Sequence, residues 1–316
     1  MSFIEQLKNG GWTKPKLKQD NNIRKYSTTG DILSYKRCKR QYGYFHERGF
    51  KSSSTTQMYF GTLVHDVLDK IHRIYQSTGA LPDEQGVKDV VDESHEVLVR
   101  AGIRPYDPIQ QKKNATKLLG RFLELVNVKF FNHVQQTEYP LERELKTDND
   151  TPYVLHGIVD VLSGAICHDL DLPYSTDPGD IEIWDYKASK RPEKGSQYIK
   201  DYQYQMRVYC ELYKQQTGKY PARAVLVFLG DLNDDKFWEA AGGDPSNFAR
   251  IFYVVTPNLD HIETAMTNFN GTVDLIEEER GKLFEEQWQA PEHEVDSMTC
   301  QACEIRFNCE RLTSSE

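Results

Sequence analysis

Several features that are common in proteins are absent from this chain of 316 residues. No stretch approaches 18 consecutive apolar residues, and no apolar run follows the charged start of the chain, so the sequence predicts neither a membrane span nor a secretory signal. The motif G-x-x-x-x-G-K-S/T is missing as well, which excludes a P-loop motor within this sequence. Internal repeats and low-complexity segments are also lacking. These absences favour a globular protein of the cytoplasm.

Charge is distributed unevenly along the chain. The net charge of −9 argues at first against an anionic partner. However, residues 1–51 contain 12 Lys or Arg and only 4 Asp or Glu, whereas residues 231–299 contain 16 acidic and 4 basic residues. A chain polarised in this way can present a basic surface to a phosphate backbone and still stay soluble. Ordinary solvated surfaces would give the same pattern, so charge alone leaves both interpretations open.

The hydrophobic pattern predicts an α/β protein with one central sheet flanked by helices. Strands are predicted at about 138–145, 153–162, 181–188, 222–230 and 251–256. Helices are predicted at about 31–45, 59–76, 196–215 and 259–287, with Ser196 as an N-cap and with a helical insertion at about 77–135. Residues 1–30 are polar and are predicted to form a loosely attached arm, which leaves 31–316 as the folded domain.

Two of the predicted strands contain aspartate residues. Asp185 and Lys187 are two positions apart and therefore share one face of their strand, while Trp184 and Tyr186 point to the other face. Asp160 lies in the preceding strand within an apolar run, and a buried carboxylate is costly unless it is paired or bound to metal. An isolated D-x-K pair usually means two solvated charges. Two carboxylates and a lysine on neighbouring strands, however, are the minimal equipment for metal-assisted phosphodiester hydrolysis.

Three of the six cysteines lie near the end of the chain, in the pattern C-x2-C-x5-C. Cys300, Cys303 and Cys309 indicate a metal site, because cytoplasmic cysteines bind metal more often than they form disulfides. Sulfur coordination of a metal usually requires four ligands, and the spacing does not identify the fourth. Both Zn²⁺ and an iron–sulfur cluster suit thiolate ligands. Cys167 and Cys210 fit neither pattern and are interpreted as free thiols.

The strand motifs resemble those of the PD-(D/E)xK nuclease superfamily. "GIVD", which ends at Asp160, and "DYK", which covers 185–187, correspond to its signature. The resemblance implies a restriction-endonuclease-like core with a mixed sheet. It also implies that Asp160, Asp185 and the carbonyl of Tyr186 bind Mg²⁺ or Mn²⁺, and that Lys187 positions or activates the attacking water.

Two helical motifs resemble the RecB-like branch of that superfamily. "GTLVHDVL" places His65 where this branch has a histidine that joins the metal ligands. "QMRVY" is similar to its Q-x-x-x-Y motif, which implies that Gln205 and Tyr209 contact DNA or brace the site. A structural histidine and an ordinary helix surface are the alternatives. Relatives also carry a glutamate near the metals, and the sequence does not decide between Glu142 and Glu144.

The early segment "SYKRCKRQYGYF" resembles the cysteine segment of the iron–sulfur members of this branch, which include CRISPR-adaptation and AddB-type nucleases. The resemblance implies that Cys38 is the fourth ligand and that it holds a structural 4Fe–4S cluster together with Cys300, Cys303 and Cys309. Such a cluster would join the N- and C-terminal segments of the chain. Zn²⁺ is the alternative metal. The resemblance covers residues 31–310.

Basic and aromatic residues alternate in the same early segment. The basic residues suit binding to a phosphate backbone, and the aromatic ones suit base stacking. The predicted nucleic-acid-binding residues are Lys36, Arg37, Lys39 and Arg40. The resemblance thus implies a DNA nuclease, expected to be an exonuclease for single strands or DNA ends, with a separate helicase as a possible partner. The alternative is a catalytically silent DNA-end-binding or scaffold subunit. Inactive relatives typically lose the acid or the lysine, whereas Asp160, Asp185 and Lys187 are all present.

Overall fold

The computed structural model describes residues 23–51, 56–164, 179–242, 245–291, 295 and 297–309. The α-helices are α1 (Ser34–Arg37), α2 (Lys39–Tyr42), α3 (Thr56–Thr78), α4 (Glu84–Arg100), α5 (Pro108–Phe131), α6 (Gln197–Thr217), α7 (Asp235–Ala241), α8 (Leu259–Gly281) and α9 (Ser297–Gln301). The strands are β1 (Arg24–Ser27), β2 (Val134–Lys146), β3 (Pro152–Ser163), β4 (Glu182–Lys187), β5 (Arg223–Phe228) and β6 (Phe252–Val255). Cys167 and residues 1–22 of the predicted arm lie outside the described residues. None of the helices described is both long and apolar enough to cross a membrane.

Side chains with hydrogen-bonding oxygens mark where the long helices begin. Asp83 accepts a hydrogen bond from the backbone of Gly86 at the start of α4, and Asp107 precedes Pro108 at the start of α5. Ser196 caps α6 as predicted, and Gly218 ends that helix with a φ of 84°. These are the residue types that helix termini prefer, since they satisfy the unpaired backbone groups there. α6 therefore has well-defined limits just after β4.

The described residues form two compact units, the larger at 56–141 and 158–258 and the smaller at 23–51, 142–157 and 259–309. In the larger unit, β4 pairs antiparallel with the end of β3 and parallel with β5, and β5 pairs antiparallel with β6. The sheet is therefore mixed, as predicted, and β4 occupies an interior position. β2 also pairs with β3.

The core of the larger unit explains the residue pattern of β4. Trp184 and Tyr186 are buried among aromatic residues of α5: Trp184 packs on Phe130 and Tyr186 on Phe122. Asp185 lies on the opposite side of the strand, where its carboxylate contacts Gln205 of α6. The alternation predicted from the sequence is confirmed. One face of β4 is therefore buried in the core, and the other face carries the polar side chains.

The smaller unit differs from the expectations in three places. Arg24–Ser27, assigned to the loose arm from sequence, form β1 and pair with the first half of β3 in parallel. The single helix predicted at 31–45 is interrupted at Cys38, whose backbone is extended, with φ −163° and ψ 107°. Position 43 has no room for a side chain, because a Cβ on Gly43 would lie 2.0 Å from the ring of Trp288. α8 ends at Gly281, six residues before the predicted limit.

Candidate functional site

The acidic residues of the larger unit meet where β3 and β4 stop pairing. The ladder between these strands runs as far as Val161 opposite Trp184. Beyond that point, the backbone N–H of Tyr186 donates to Oδ2 of Asp160 at 2.6 Å. The Asp160 carboxylate thus satisfies a backbone donor of the neighbouring strand. This places the carboxylates of Asp160 and Asp185 together at the end of the ladder.

Lys187 and Gln205 complete a hydrogen-bonded set around Asp185. The Lys187 Nζ atom lies 2.5 Å from Asp185 Oδ2 and donates to Gln205 Oε1 at 3.1 Å. The Gln205 Nε2 atom in turn donates to Asp185 Oδ1 and to the Tyr209 hydroxyl, both at 3.2 Å. Gln205 is therefore the residue through which α6 holds the acid and the lysine. The sequence motif placed Gln205 and Tyr209 near the acidic strand, and the structure brings them there.

His65 reaches the same site from α3. Its Nδ1 atom lies 3.4 Å from Asp160 Oδ1, and its ring centroid lies 6.5 Å from that of Tyr186. Burial lowers the pKa of His65, but the adjacent Asp160 and the charge of Asp185 outweigh that effect and raise the pKa to about 9. The imidazole is one third exposed, at 33% of its side-chain surface. All four side chains predicted from the strand and helix motifs to bind or act beside metal therefore converge: His65, Asp160, Asp185 and Lys187.

The two carboxylates differ in protonation behaviour. Burial raises the pKa of Asp160, but the neighbouring His65 and Lys187 and the Tyr186 N–H bring it below its usual value. Burial raises the pKa of Asp185, and the charge of Asp160 adds to the increase despite the opposing effect of Lys187. The pKa of Lys187 is itself raised, since its burial is outweighed by the two carboxylates. Neighbouring acids with divergent pKa values are characteristic of functional sites.

The donor types at this site fit a hard divalent cation. Oδ2 of Asp185 is buried and lies 2.5 Å from the Lys187 ammonium. Buried carboxylate oxygens beside a second carboxylate are chemically suited to a divalent metal ion. Among the residues that the structure describes, no group of three or more His, Cys, Asp or Glu side chains is arranged to hold a metal ion. The fit therefore lies in the ligand types: two carboxylates, an imidazole and a backbone carbonyl.

The glutamate that lies near this site is Glu138 of β2, which the sequence analysis did not consider. Burial, Asp160 and Asp69 raise the pKa of Glu138 to about 7. Its φ of 48° falls in the left-handed region that favours glycine, and such strain is concentrated at functional sites. Glu142 and Glu144 are both exposed to solvent. No local signal in the sequence marks the backbone conformation of Glu138, so only the fold identifies it.

For the metal-dependent nuclease that the strand motifs imply, Glu138→Gln is expected to lower DNA cleavage about 10- to 100-fold, the usual cost of altering a group that supports a metal site. Above its pKa of about 7, the Glu138 carboxylate contributes a negative charge beside Asp160 that the amide cannot carry, so the Mg²⁺ concentration needed for half-maximal cleavage at alkaline pH should rise as well. Metal titrations of the cleavage rate measure both effects. Glu144→Gln is the matched control, since Glu144 belongs to the same strand but is exposed. Equal rates for the two variants would remove Glu138 from the site.

The cysteines of the smaller unit show a second constellation. The Cys38 thiol accepts hydrogen bonds from the backbone N–H groups of Gln41 and Arg40. Burial raises the pKa of Cys38, these N–H groups lower it, and the nearby Cys303 and Cys309 raise it further. Cys38, Cys303 and Cys309 thus influence one another electrostatically, but no three cysteines among the described residues are arranged to hold a metal ion. Thiolates suit both Zn²⁺ and an iron–sulfur cluster, so it is the residue types alone that fit coordination of a metal.

The remaining predicted cysteine, Cys300, lies at the end of α9, one turn before Cys303. The Cys303 N–H donates to the Cys300 carbonyl at 3.1 Å, and the Cys309 N–H donates to the Arg306 carbonyl at the same distance. Cys38, Cys303 and Cys309 form no disulfide. Successive tight turns therefore carry Cys300, Cys303 and Cys309 along a short C-terminal segment.

The four basic residues predicted to bind nucleic acid occupy unlike environments. Lys36 and Arg37 are exposed. Lys39 pairs with Glu279 of α8 at 2.9 Å. Arg40 is buried, and its Nη2 atom donates to the carbonyl of Asn308 at 2.6 Å. Lys39 and Arg40 are thus engaged inside the smaller unit, and Arg40 connects the Cys38 segment to the residue that precedes Cys309.

Comparison with known proteins agrees with this arrangement at the level of the superfamily. The family model of the PD-(D/E)XK nuclease superfamily matches residues 30–310, and the chain belongs to that superfamily. A search of curated proteins found no match. Among solved structures, the crystal structure of SSO0001 is similar: it is 16% identical, the match covers 90% of this chain and 98% of that chain, and the TM-score is 0.34. The superfamily assignment predicted from the strand motifs is confirmed.

Proposed function

We propose that this protein is a metal-dependent deoxyribonuclease of the RecB-like branch that cuts single strands or DNA ends as an exonuclease. We further propose that a structural 4Fe–4S cluster is held in the smaller unit by Cys38, Cys300, Cys303 and Cys309. Membership of the superfamily supports the hydrolytic part. The observation that carries the proposal is the intact hydrogen-bonded set at the end of β4, in which Asp185, Lys187 and Gln205 contact one another.

Mg²⁺ or Mn²⁺ would be held by Asp160, Asp185, His65 and the Tyr186 carbonyl. When bound, such an ion polarises the scissile phosphate and lowers the pKa of a bound water. The chain holds its part of this set in place before any ion arrives. The Tyr186 N–H orients Asp160, and Gln205 orients Asp185. Preformed orientation of this kind reduces the entropic cost of reaching the transition state.

Lys187 is the group that acts on the substrate or the attacking water. An ammonium has three N–H donors, and in Lys187 two of them are directed at Asp185 and Gln205. The third can donate to a water or to a phosphate oxygen. Because the pKa of Lys187 is raised by the carboxylates, it stays charged at neutral pH. A charged donor suits stabilisation of the phosphate in the transition state, and it fixes the position of the water by hydrogen bonding.

The test is cleavage of labelled DNA by protein purified without oxygen. Single-stranded and double-stranded oligonucleotides, with free and with blocked ends, would be incubated with Mg²⁺ or Mn²⁺ and, separately, with a chelator. We expect metal-dependent cleavage that is fastest on free single strands. Asp185→Asn, which keeps the shape of the side chain but not its charge, should abolish it. Absence of cleavage by intact protein that still binds DNA would instead favour the silent scaffold function, with a helicase or another partner supplying the chemistry.

A further inference from the structure

Three aromatic rings and a guanidinium group lie next to one another in the smaller unit. The Arg48 guanidinium carbon lies 5.2 Å from the ring centroid of Tyr44 and 4.3 Å from that of Phe284. The Phe50 ring lies 5.3 Å from the ring of Tyr44, at an angle of 47°. Arg48 thus lies against two rings, and a third ring adjoins them. We call Tyr44, Arg48, Phe50 and Phe284 the aromatic–arginine surface.

Backbone contacts fix these side chains relative to one another. The Arg48 Nη2 atom donates to the Phe284 carbonyl at 2.9 Å, so the guanidinium is held in its plane. The Phe50 N–H donates to the Tyr44 carbonyl at 3.0 Å, which closes the turn between these two aromatic residues. These side chains are therefore already held in place before any ligand binds. A preorganised surface loses less entropy on binding than a flexible one.

Two of the rings are unusually exposed. Phe50 has 54% and Phe284 has 69% of its surface in contact with solvent. Neighbouring exposed aromatic side chains are a recognised mark of a binding surface, because leaving them in water is unfavourable. Flat rings beside a guanidinium offer π faces on which any nucleobase can stack.

The surrounding charge favours a polyanion as the occupant. Residues 35–51 contain six Lys or Arg and one acidic residue, Glu47. Glu47 is already neutralised by ion pairs with Arg24 and Arg280. Of the six basic residues, Lys39 is paired with Glu279 and Arg40 is buried. The four others still outnumber Glu285 and Glu286, which follow Phe284. A positive segment with interleaved rings matches the way in which proteins hold single strands through backbone and bases together.

We infer that the aromatic–arginine surface binds single-stranded DNA by stacking bases on Phe50 and Phe284. This inference rests on the proposed function for its choice of nucleic acid, and it adds a base-contacting subsite on the smaller unit. Stacking is tolerant of sequence, since every base has a π face. The surface therefore contributes affinity for unpaired bases, and base-paired DNA, whose bases are already stacked on one another, gains little from it.

The test measures DNA binding by a variant that is expected not to cleave DNA. Full-length protein carrying Asp185→Asn would be titrated against a fluorescent single-stranded 12-mer of about one site length, at one fixed salt concentration. A second 12-mer of the same length but without bases is the matched ligand. We expect Phe50→Ala with Phe284→Ala to weaken binding of the base-bearing strand at least about tenfold, since each stacked base contributes roughly 5- to 150-fold. Binding of the base-free strand should stay unchanged.

Two further variants separate stacking from other causes. Phe50→Leu with Phe284→Leu keeps apolar bulk without a π face and should weaken binding almost as much as the alanine pair does. Tyr106→Ala removes a ring that is 98% exposed on the larger unit and should have no effect. Restored binding in the leucine pair, or equal loss for both strands, would overturn the inference and point to a protein partner or to lost folding.

The outcomes also distinguish this inference from the proposed nuclease function. Base-dependent binding by protein that cleaves nothing in the presence of metal would remove the nuclease proposal and leave the stacking surface in place. Metal-dependent cleavage by a protein that binds both 12-mers equally well would support the nuclease proposal and remove the stacking surface. In that case the exposed rings would not contact the DNA.

Discussion

Lys187→Ala should lower the rate of DNA cleavage by about 10²- to 10⁴-fold, the usual contribution of a group that transfers or positions a proton in the transition state. The substitution removes the ammonium that contacts Asp185 and Gln205. It leaves the backbone of β4 intact, and in particular the hydrogen bond from the Tyr186 N–H to Asp160. The proposed metal ligands are thus preserved while the charged donor is lost. Single-turnover cleavage at saturating protein would measure the chemical step directly.

The matched control is Lys190→Ala. Lys190 lies three residues further along the chain, is exposed, and pairs with Asp234 at 3.1 Å. Its removal changes the net charge by the same amount, so a general loss of attraction to DNA would affect both variants equally. We expect Lys190→Ala to keep nearly the full rate. Comparable losses in both variants would assign Lys187 to charge-dependent DNA binding and not to the chemical step.

The polar face of β4 could be predicted from sequence because strand geometry is local. Alternation of side chains places Asp185 and Lys187 on one face whatever the rest of the chain does. The same reasoning identified the helix that carries Gln205, since Ser196 marks its start. Local patterns of this kind survive folding, because each depends on neighbours only a few residues away.

What the sequence did not reveal depends on contacts between distant segments. The carboxylate of Asp160 accepts a hydrogen bond from Tyr186, 26 residues away, and nothing near Asp160 in the sequence signals a break in the ladder. Glu138 escaped notice for a similar reason. Its relevance follows from its nearness to Asp160 and from an uncommon φ of 48°, and neither property is encoded by residue type. Side-chain identity alone made Glu142 and Glu144 equally plausible.

The early basic segment shows where a periodic pattern misleads. Its spacing is compatible with one helix, and yet Cys38 is extended and separates two short helices. Lys39 and Arg40 were predicted to bind nucleic acid because basic and aromatic residues alternate in this segment. In the structure, Arg40 donates to the carbonyl of Asn308, and Lys39 pairs with Glu279. These contacts to residues more than 200 positions away have no signal in the local sequence.

Cys38→Ala should remove the proposed cluster from this protein. Cys38 is the proposed ligand from the early segment, and its thiol interacts electrostatically with Cys303 and Cys309. We expect the iron and acid-labile sulfide of the anaerobically purified variant to fall close to zero, together with its visible absorbance. A link between Cys38 and Cys300 closes a loop of more than 260 residues. Its loss should cost about 3–5 kcal/mol of unfolding free energy, the range for cross-links that close long loops.

Cys210→Ala is the appropriate control for Cys38→Ala, because it also deletes a buried thiol. Cys210 belongs to α6 in the larger unit, and burial raises its pKa to about 12, so its sulfur is a poor candidate for a thiolate ligand. This variant should keep its full iron content, which separates loss of a ligand from loss of packing. Full iron in Cys38→Ala would exclude Cys38 from the ligand set. One zinc per chain and no iron in the native protein would replace the cluster with a structural zinc site held by the same four cysteines, because tetrahedral thiolate coordination suits that ion equally well.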